Sequence, residues 1–102
     1  MAVTSSTLLF RGAATTNTAT TLYTVGAGKT TVITSIVVSN TGSSAYTFTL
    51  AFDGTPFATT VAIAANSVAI FDMKQVLGAT KTITGGASNT AVVFHISGAE
   101  IA

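Results

Sequence analysis

Cysteine and tryptophan are both absent from these 102 residues, and there is a single proline. Without cysteine the chain has no disulfide, no thiolate nucleophile and no zinc ribbon. Charge is scarce too. Four basic residues (Arg11, Lys29, Lys74, Lys81) and three acidic ones (Asp53, Asp72, Glu100) make up 7% of the chain, against about 25% in an average soluble protein. The net charge is +1, and no basic run exists to neutralise a phosphate backbone, which argues against a nucleic-acid partner. Three scattered acids form neither a calcium-loop spacing nor the carboxylate pair of a glycosidase. The residues therefore point to no metal and no cofactor. Thr and Ser interrupt every apolar run well short of the ~18 residues of a membrane span. The segment Met1–Gly12 lacks a basic start and has only Leu8-Leu9-Phe10 as an apolar centre, so it does not read as a signal peptide. The expectation is a soluble protein, made in a cytoplasm, with no membrane partner.

What is present is β-forming. The hydrophobic fraction is 48% and the mean hydropathy +0.65, which excludes an intrinsically disordered chain. Thr sits among Val, Ile, Phe and Tyr, side chains that suit a pleated surface. Residues Tyr46, Phe48, Leu50 and Phe52 alternate with Thr47, Thr49, Ala51 and Asp53, the period of a strand with one buried face. Phe57, Val61 and Ile63 alternate against Ala58, Thr60 and Ala62, and Val92, Phe94 and Ile96 against Val93, His95 and Ser97. Turn residues recur at Gly26–Gly28, Asn40–Ser44, Asp53–Pro56, Ala65-Asn66, Gly78 and Gly85–Asn89. The pattern predicts strands near 6–11, 20–25, 30–40, 45–53, 57–64, 67–72, 80–84 and 90–98. It implies an all-β, antiparallel β-sandwich of about eight strands with Greek-key connections, jelly-roll or immunoglobulin-like. Asp72–Gly78 breaks the alternation and reads as a single helical turn capped by Asp72 and ended by Gly78.

Two stretches bear on organisation. Residues 12–21 are low in complexity, so residues 1–21 read as an N-terminal arm or first strand plus a connection, and 22–102 as the sandwich domain. Residues 30–40 are apolar on both faces, with Val32, Ile36 and Val38 on one and Ile33 and Val37 on the other. Such a strand is central in the fold or covered by another subunit.

Chemistry-bearing patterns are weak. Gly28-Lys29-Thr30 matches the end of a phosphate-binding loop, but Tyr23 stands where the first glycine belongs and a strand sequence follows in place of a helix. A solvated Lys29 in a β-turn is the simpler reading. His95, the only histidine, lies in alternating strand sequence, and no Gly-x-Ser-x-Gly elbow accompanies it. The inventory predicts no catalysis. Tyr23 and Tyr46 could stack a sugar, but Tyr46 is in phase with Phe48, which favours packing.

Leu22-Tyr23-Thr24-Val25-Gly26-Ala27-Gly28-Lys29-Thr30, followed by the apolar Val32–Ser39 and then Asn40-Thr41-Gly42, resembles a pattern in small β-rich virion proteins of tailed bacteriophages. Asp72–Leu77 and His95–Ile101 also resemble that group. The similarity covers about Leu22 to the C-terminus, with Gly26 where the pattern usually has proline. It implies a virion accessory protein, assembled in the host cytoplasm. Its leading form is a capsid decoration (cement) protein that binds the major capsid protein or another virion protein. A tail or fibre component, or a non-viral sugar- or protein-binding sandwich, is the alternative. The low charge favours self-association, with a trimer expected. Leu8, Leu9 and Phe10 on the arm, with Ile33 and Val37, are the expected oligomer or capsid contacts. On this view residues 1–12 can be removed without unfolding the sandwich.

Overall fold

A computed structural model describes residues 4–101, and the side chains from Leu8 onward. Eight strands follow in order: β1 (Thr4–Ala13), β2 (Thr21–Thr24), β3 (Thr30–Asn40), β4 (Tyr46–Phe52), β5 (Thr55–Ile63), β6 (Val68–Leu77), β7 (Thr82–Ala87) and β8 (Val92–Ile101). They form two four-stranded sheets, β1-β8-β3-β6 and β2-β7-β4-β5, and every pairing is antiparallel. The pairs β1–β8, β2–β7, β3–β6 and β4–β5 are nested, like one long hairpin folded over on itself. This order is the jelly-roll alternative, not the immunoglobulin-like one.

Both inner faces supply the core. Ile33, Ile36, Val38, Phe94 and Ile96 come from one sheet, and Phe48, Leu50, Phe52 and Ile83 from the other. Burying one such side chain contributes about 1.5–3 kcal/mol. Phe48 meets Phe71 and Phe94 edge-on across the sandwich, with ring centroids 6.2 and 6.3 Å apart. Alternation along β4 and β8 appears in the burial pattern as the sequence implies.

Three local readings are corrected. Asp72–Leu77 is not helical but continues β6. The disturbance there is a shift of register, in which β6 carries one more residue than β3 between the pairs Ile33–Gln75 and Ser35–Asp72. Against β8, β3 in turn has the extra residue Thr34, and β1 has the extra residue Leu9 against the same stretch of β8. The irregularities thus line up across the whole sheet as one transverse crease, which bends it. The second correction follows from the first. The crease inverts the phase of β3, so Ile33, Ile36 and Val38 all point inward while Val32 and Val37 point outward. The third concerns β5, where Thr60 adopts a left-handed φ of 49°. Its phase flips there, so Ala58 is buried and Val61 exposed.

Residues 4–13 are not a free arm. They pair with β8 from Thr4–Ile101 to Ala13–Val93. The low-complexity stretch is also seated: the Ala87 and Gly85 amides donate to the Thr15 and Thr20 carbonyls at 2.9 Å. The bare Cα of Gly86 admits the Asn17 and Thr15 carbonyls, where a Cβ would collide with them.

Candidate functional site

The two outer faces differ in chemistry. On β4 and β7 the outward side chains are Thr47, Thr49, Ala51 and Thr84, small and uncharged. The outer face of β1-β8-β3-β6 is mixed, with apolar rows among polar ones. One row sets Val32 between Ala99 and Val76, another sets Val37 between His95 and Ile70, and a third sets Ser39 between Val93 and Val68. Along β6, Val68, Ile70 and Val76 are 58%, 65% and 67% exposed, more than any other large hydrophobic residue among those described. Leu8 on β1 adds a further exposed side chain.

Few charges interrupt this face. Arg11 lies opposite His95, and its Nε donates to His95 Nδ1 at 3.1 Å. Among the described residues no serine hydroxyl bonds the imidazole. Asp72 and Lys74 flank Met73 on β6, where the crease leaves a hollow of about 440 Å³ lined by Thr34, Asp72, Met73 and Lys74. A smaller hollow of about 170 Å³ lies at the β5–β6 side, lined by Phe52, Thr55, Pro56, Phe57 and Gln75.

The five contact residues expected from the sequence separate. Leu8 and Val37 lie on the outer face. Leu9 and Ile33 belong to the core, at 7% and 0% exposure, and cannot reach a partner. Phe10 stands opposite Ile96 and packs against the core. Leu9 is buried because it follows the outward Leu8 in a paired strand, and the crease, which shifts side-chain phase on β1 and β3, explains Phe10 and Ile33. The exposed row Val68, Ile70 and Val76 was not anticipated. Val68 and Ile70 alternate with Ala69 and Phe71 in the sequence, and Val76 joins them because β6 runs on past Asp72.

Lys29 is not simply solvated. Its Nζ donates to Glu100 Oε1 at 3.2 Å, while the Tyr23 hydroxyl donates to Glu100 Oε2 at 2.9 Å. Tyr23 is on β2 and Glu100 on β8, so the cluster ties one sheet to the other. The Tyr23 hydrogen bond, then that from Lys29, holds the Glu100 carboxyl below its ordinary range. The turn before Lys29 has Gly28 at φ 72° and enters β3 directly, with no helix to present amides to a phosphate. Among the described residues no cluster of three or more His, Asp or Glu side chains is arranged to hold a metal.

No protein-family model matches the sequence, and no curated protein matches it significantly. Solved structures with similar folds do exist. A chain in the crystal structure of the T13 IBDV viral particle superposes with a TM-score of 0.56 at 8% identity, over 98% of this chain. This chain spans only 30% of the length of that one. The CBM36-1 domain of a multidomain xylanase from the hindgut metagenome of Trinervitermes trinervoides gives a TM-score of 0.46 at 14% identity, over 98% of this chain and 97% of that domain. At such identities, the likeness to the viral-particle chain shows a shared fold and no more.

Proposed function

We propose that this chain is a virion structural protein of a tailed phage, and specifically a decoration subunit that lies on the assembled head and reinforces it. The observation that carries the reading is the outer face of β1-β8-β3-β6, a row of exposed Val and Ile on a chain with almost no charge. An exposed apolar row of this kind marks a protein contact. The resemblance of Leu22–Gly42 to phage virion modules supports the same assignment. So does the similar sandwich within a viral particle. The protein acts by binding, without catalysis, and self-associates.

A sugar-binding role is less well supported, because a stacking platform needs free aromatic faces. Tyr23 is half-buried and held by Glu100, and Tyr46 is half-buried against the core.

Cryo-electron microscopy of the purified particle tests the assignment. Density for this sandwich over the shell, with Val32 and Val37 toward the capsid, is the expected result. Density in the tail alone would overturn the decoration role. Val37→Glu should reduce head occupancy while leaving the isolated protein folded.

A further inference from the structure

Four strands end the two sheets, and three of them are blunted in the ways that discourage edge pairing. β2 is four residues long. β5 carries Pro56, the left-handed Thr60 and two register shifts. β1 is interrupted by the bulge at Leu9. β6 is different. It runs for ten residues without proline or glycine, and Val68, Ile70, Asp72, Lys74 and Val76 are all exposed, with Gln75 exposed between the last two. Its one register shift, a single residue in excess of β3, lies between Asp72 and Gln75, beside the hollow at Thr34.

The charge pattern of this edge is self-complementary. In an antiparallel pair with a two-fold axis at Met73, Asp72 of each copy lies opposite Lys74 of the other, and Ile70 lies opposite Val76. Neighbouring registers fail for stated reasons. A slip of one residue sets outward side chains opposite inward ones. Moving the axis to Asp72 or to Lys74 sets like charges face to face, which is unfavourable for directly opposed residues.

We infer that a second copy of this chain docks on the β6 edge, as an antiparallel strand pair centred on Met73. The two sheets then join as β1-β8-β3-β6-β6-β3-β8-β1. This contact uses the same patch on both partners and closes at two copies, whereas a trimer needs a head-to-tail contact. It does not depend on where the protein sits in a particle.

Sedimentation equilibrium of the purified chain should show a dimer. Lys74→Asp and Asp72→Lys should each weaken dimerisation about tenfold or more, by setting like charges opposite each other at two symmetric positions. The double variant Asp72→Lys/Lys74→Asp should restore it. A monomeric or trimeric wild type, or a double variant as weak as the singles, overturns the pairing. Should a charge variant fail to fold, amide exchange of the wild type decides the matter. Protection of Val68–Leu77 that rises with protein concentration supports the dimer, and protection independent of concentration refutes it.

Discussion

Asn40 is expected to hold one end of the sandwich together through its side chain alone, and its replacement tests that directly. The residue is 1% exposed at the end of β3. Its Nδ2 donates to the carbonyls of Ser44 at 2.8 Å and of Ile63 and Ala64 at 3.2 Å, and its Oδ1 accepts from the Gly42 amide at 2.9 Å. One side chain thereby joins the β3–β4 turn to the end of β5. In Asn40→Ala all four groups lose that partner. A buried group left unsatisfied costs about 1–3 kcal/mol, and one that water reaches costs less. The Ile63 carbonyl is the buried member and the others lie nearer the surface, so the expected loss is about 3 kcal/mol in all. For a domain of this size that lowers Tm by roughly 10–20 °C. Asn40→Asp separates the donor from the acceptor role. It keeps Oδ1 for Gly42 but turns an ionised oxygen toward three carbonyls. Its carboxyl should therefore be raised in the folded state relative to the unfolded one. The variant should be weakest near neutral pH and recover as acid protonates the group and restores a donor. Urea unfolding at pH 7 and about pH 5 measures both effects. A loss in Asn40→Ala below about 0.5 kcal/mol, or an Asn40→Asp loss with the same pH dependence as wild type, would refute this account.

Three further outcomes follow from the geometry. At Gly98 a Cβ would collide with the Val32 carbonyl and crowd the Ile33 Cα at 3.2 Å. Backbone cannot yield as a side chain can, so Gly98→Ala should lose about 2–3 kcal/mol in denaturant unfolding, and a neutral result would mean the strands can part there. Because the Glu100 carboxyl is held below its ordinary range, its stabilisation is fully present above the unfolded-state value of about 4.3. It is lost as pH falls through the lower folded value. Glu100→Gln should accordingly be less stable than wild type at neutral pH, with the difference closing in acid thermal melts. A gap that stays constant with pH would count against the cluster. Removing residues 1–12 takes away nearly all of β1 and uncovers β8, so the truncated chain should lose its cooperative melt by circular dichroism. A cooperative melt like that of the full chain would show β1 to be dispensable.

Strand existence was legible because alternation and turn chemistry are local properties. Tyr46–Phe52 and Val92–Ser97 alternate cleanly, and Gly or Asn marks most of the turns. Strand order was not legible, since the nested pairs join residues remote in sequence and eight strands suit more than one Greek key. The crease was not legible either. Its cause is a mismatch between neighbouring strands, which no single strand displays. The consecutive small polar residues Thr34-Ser35 inside an apolar run were its only local trace. The crease is what turns Ile33 to the same face as Ile36 and what breaks the local pattern at Asp72–Leu77. Asn40 shows the opposite case: the Asn that ends the apolar run in the phage-like pattern has a clear structural task, as does Gly42, where a Cβ would lie 2.8 Å from the Tyr46 ring.

The nested pairing also bears on how the chain is made. β4 and β5 are joined by the tight turn at Asp53-Gly54 and can zip as soon as both exist, but β1 must wait for β8, nearly the whole chain away. Pairings of such long range fold slowly. During synthesis the growing chain therefore carries an unmatched β1 until β8 emerges, and the β8 of another copy could pair with it. Exchange of β1 between nascent chains is thus the misassembly most open to this topology. Thr4 and Ile101 lie side by side, so a short tether between these two residues would keep β1 with its own β8, and new ends opened at Gly54 would leave every nested pair to form.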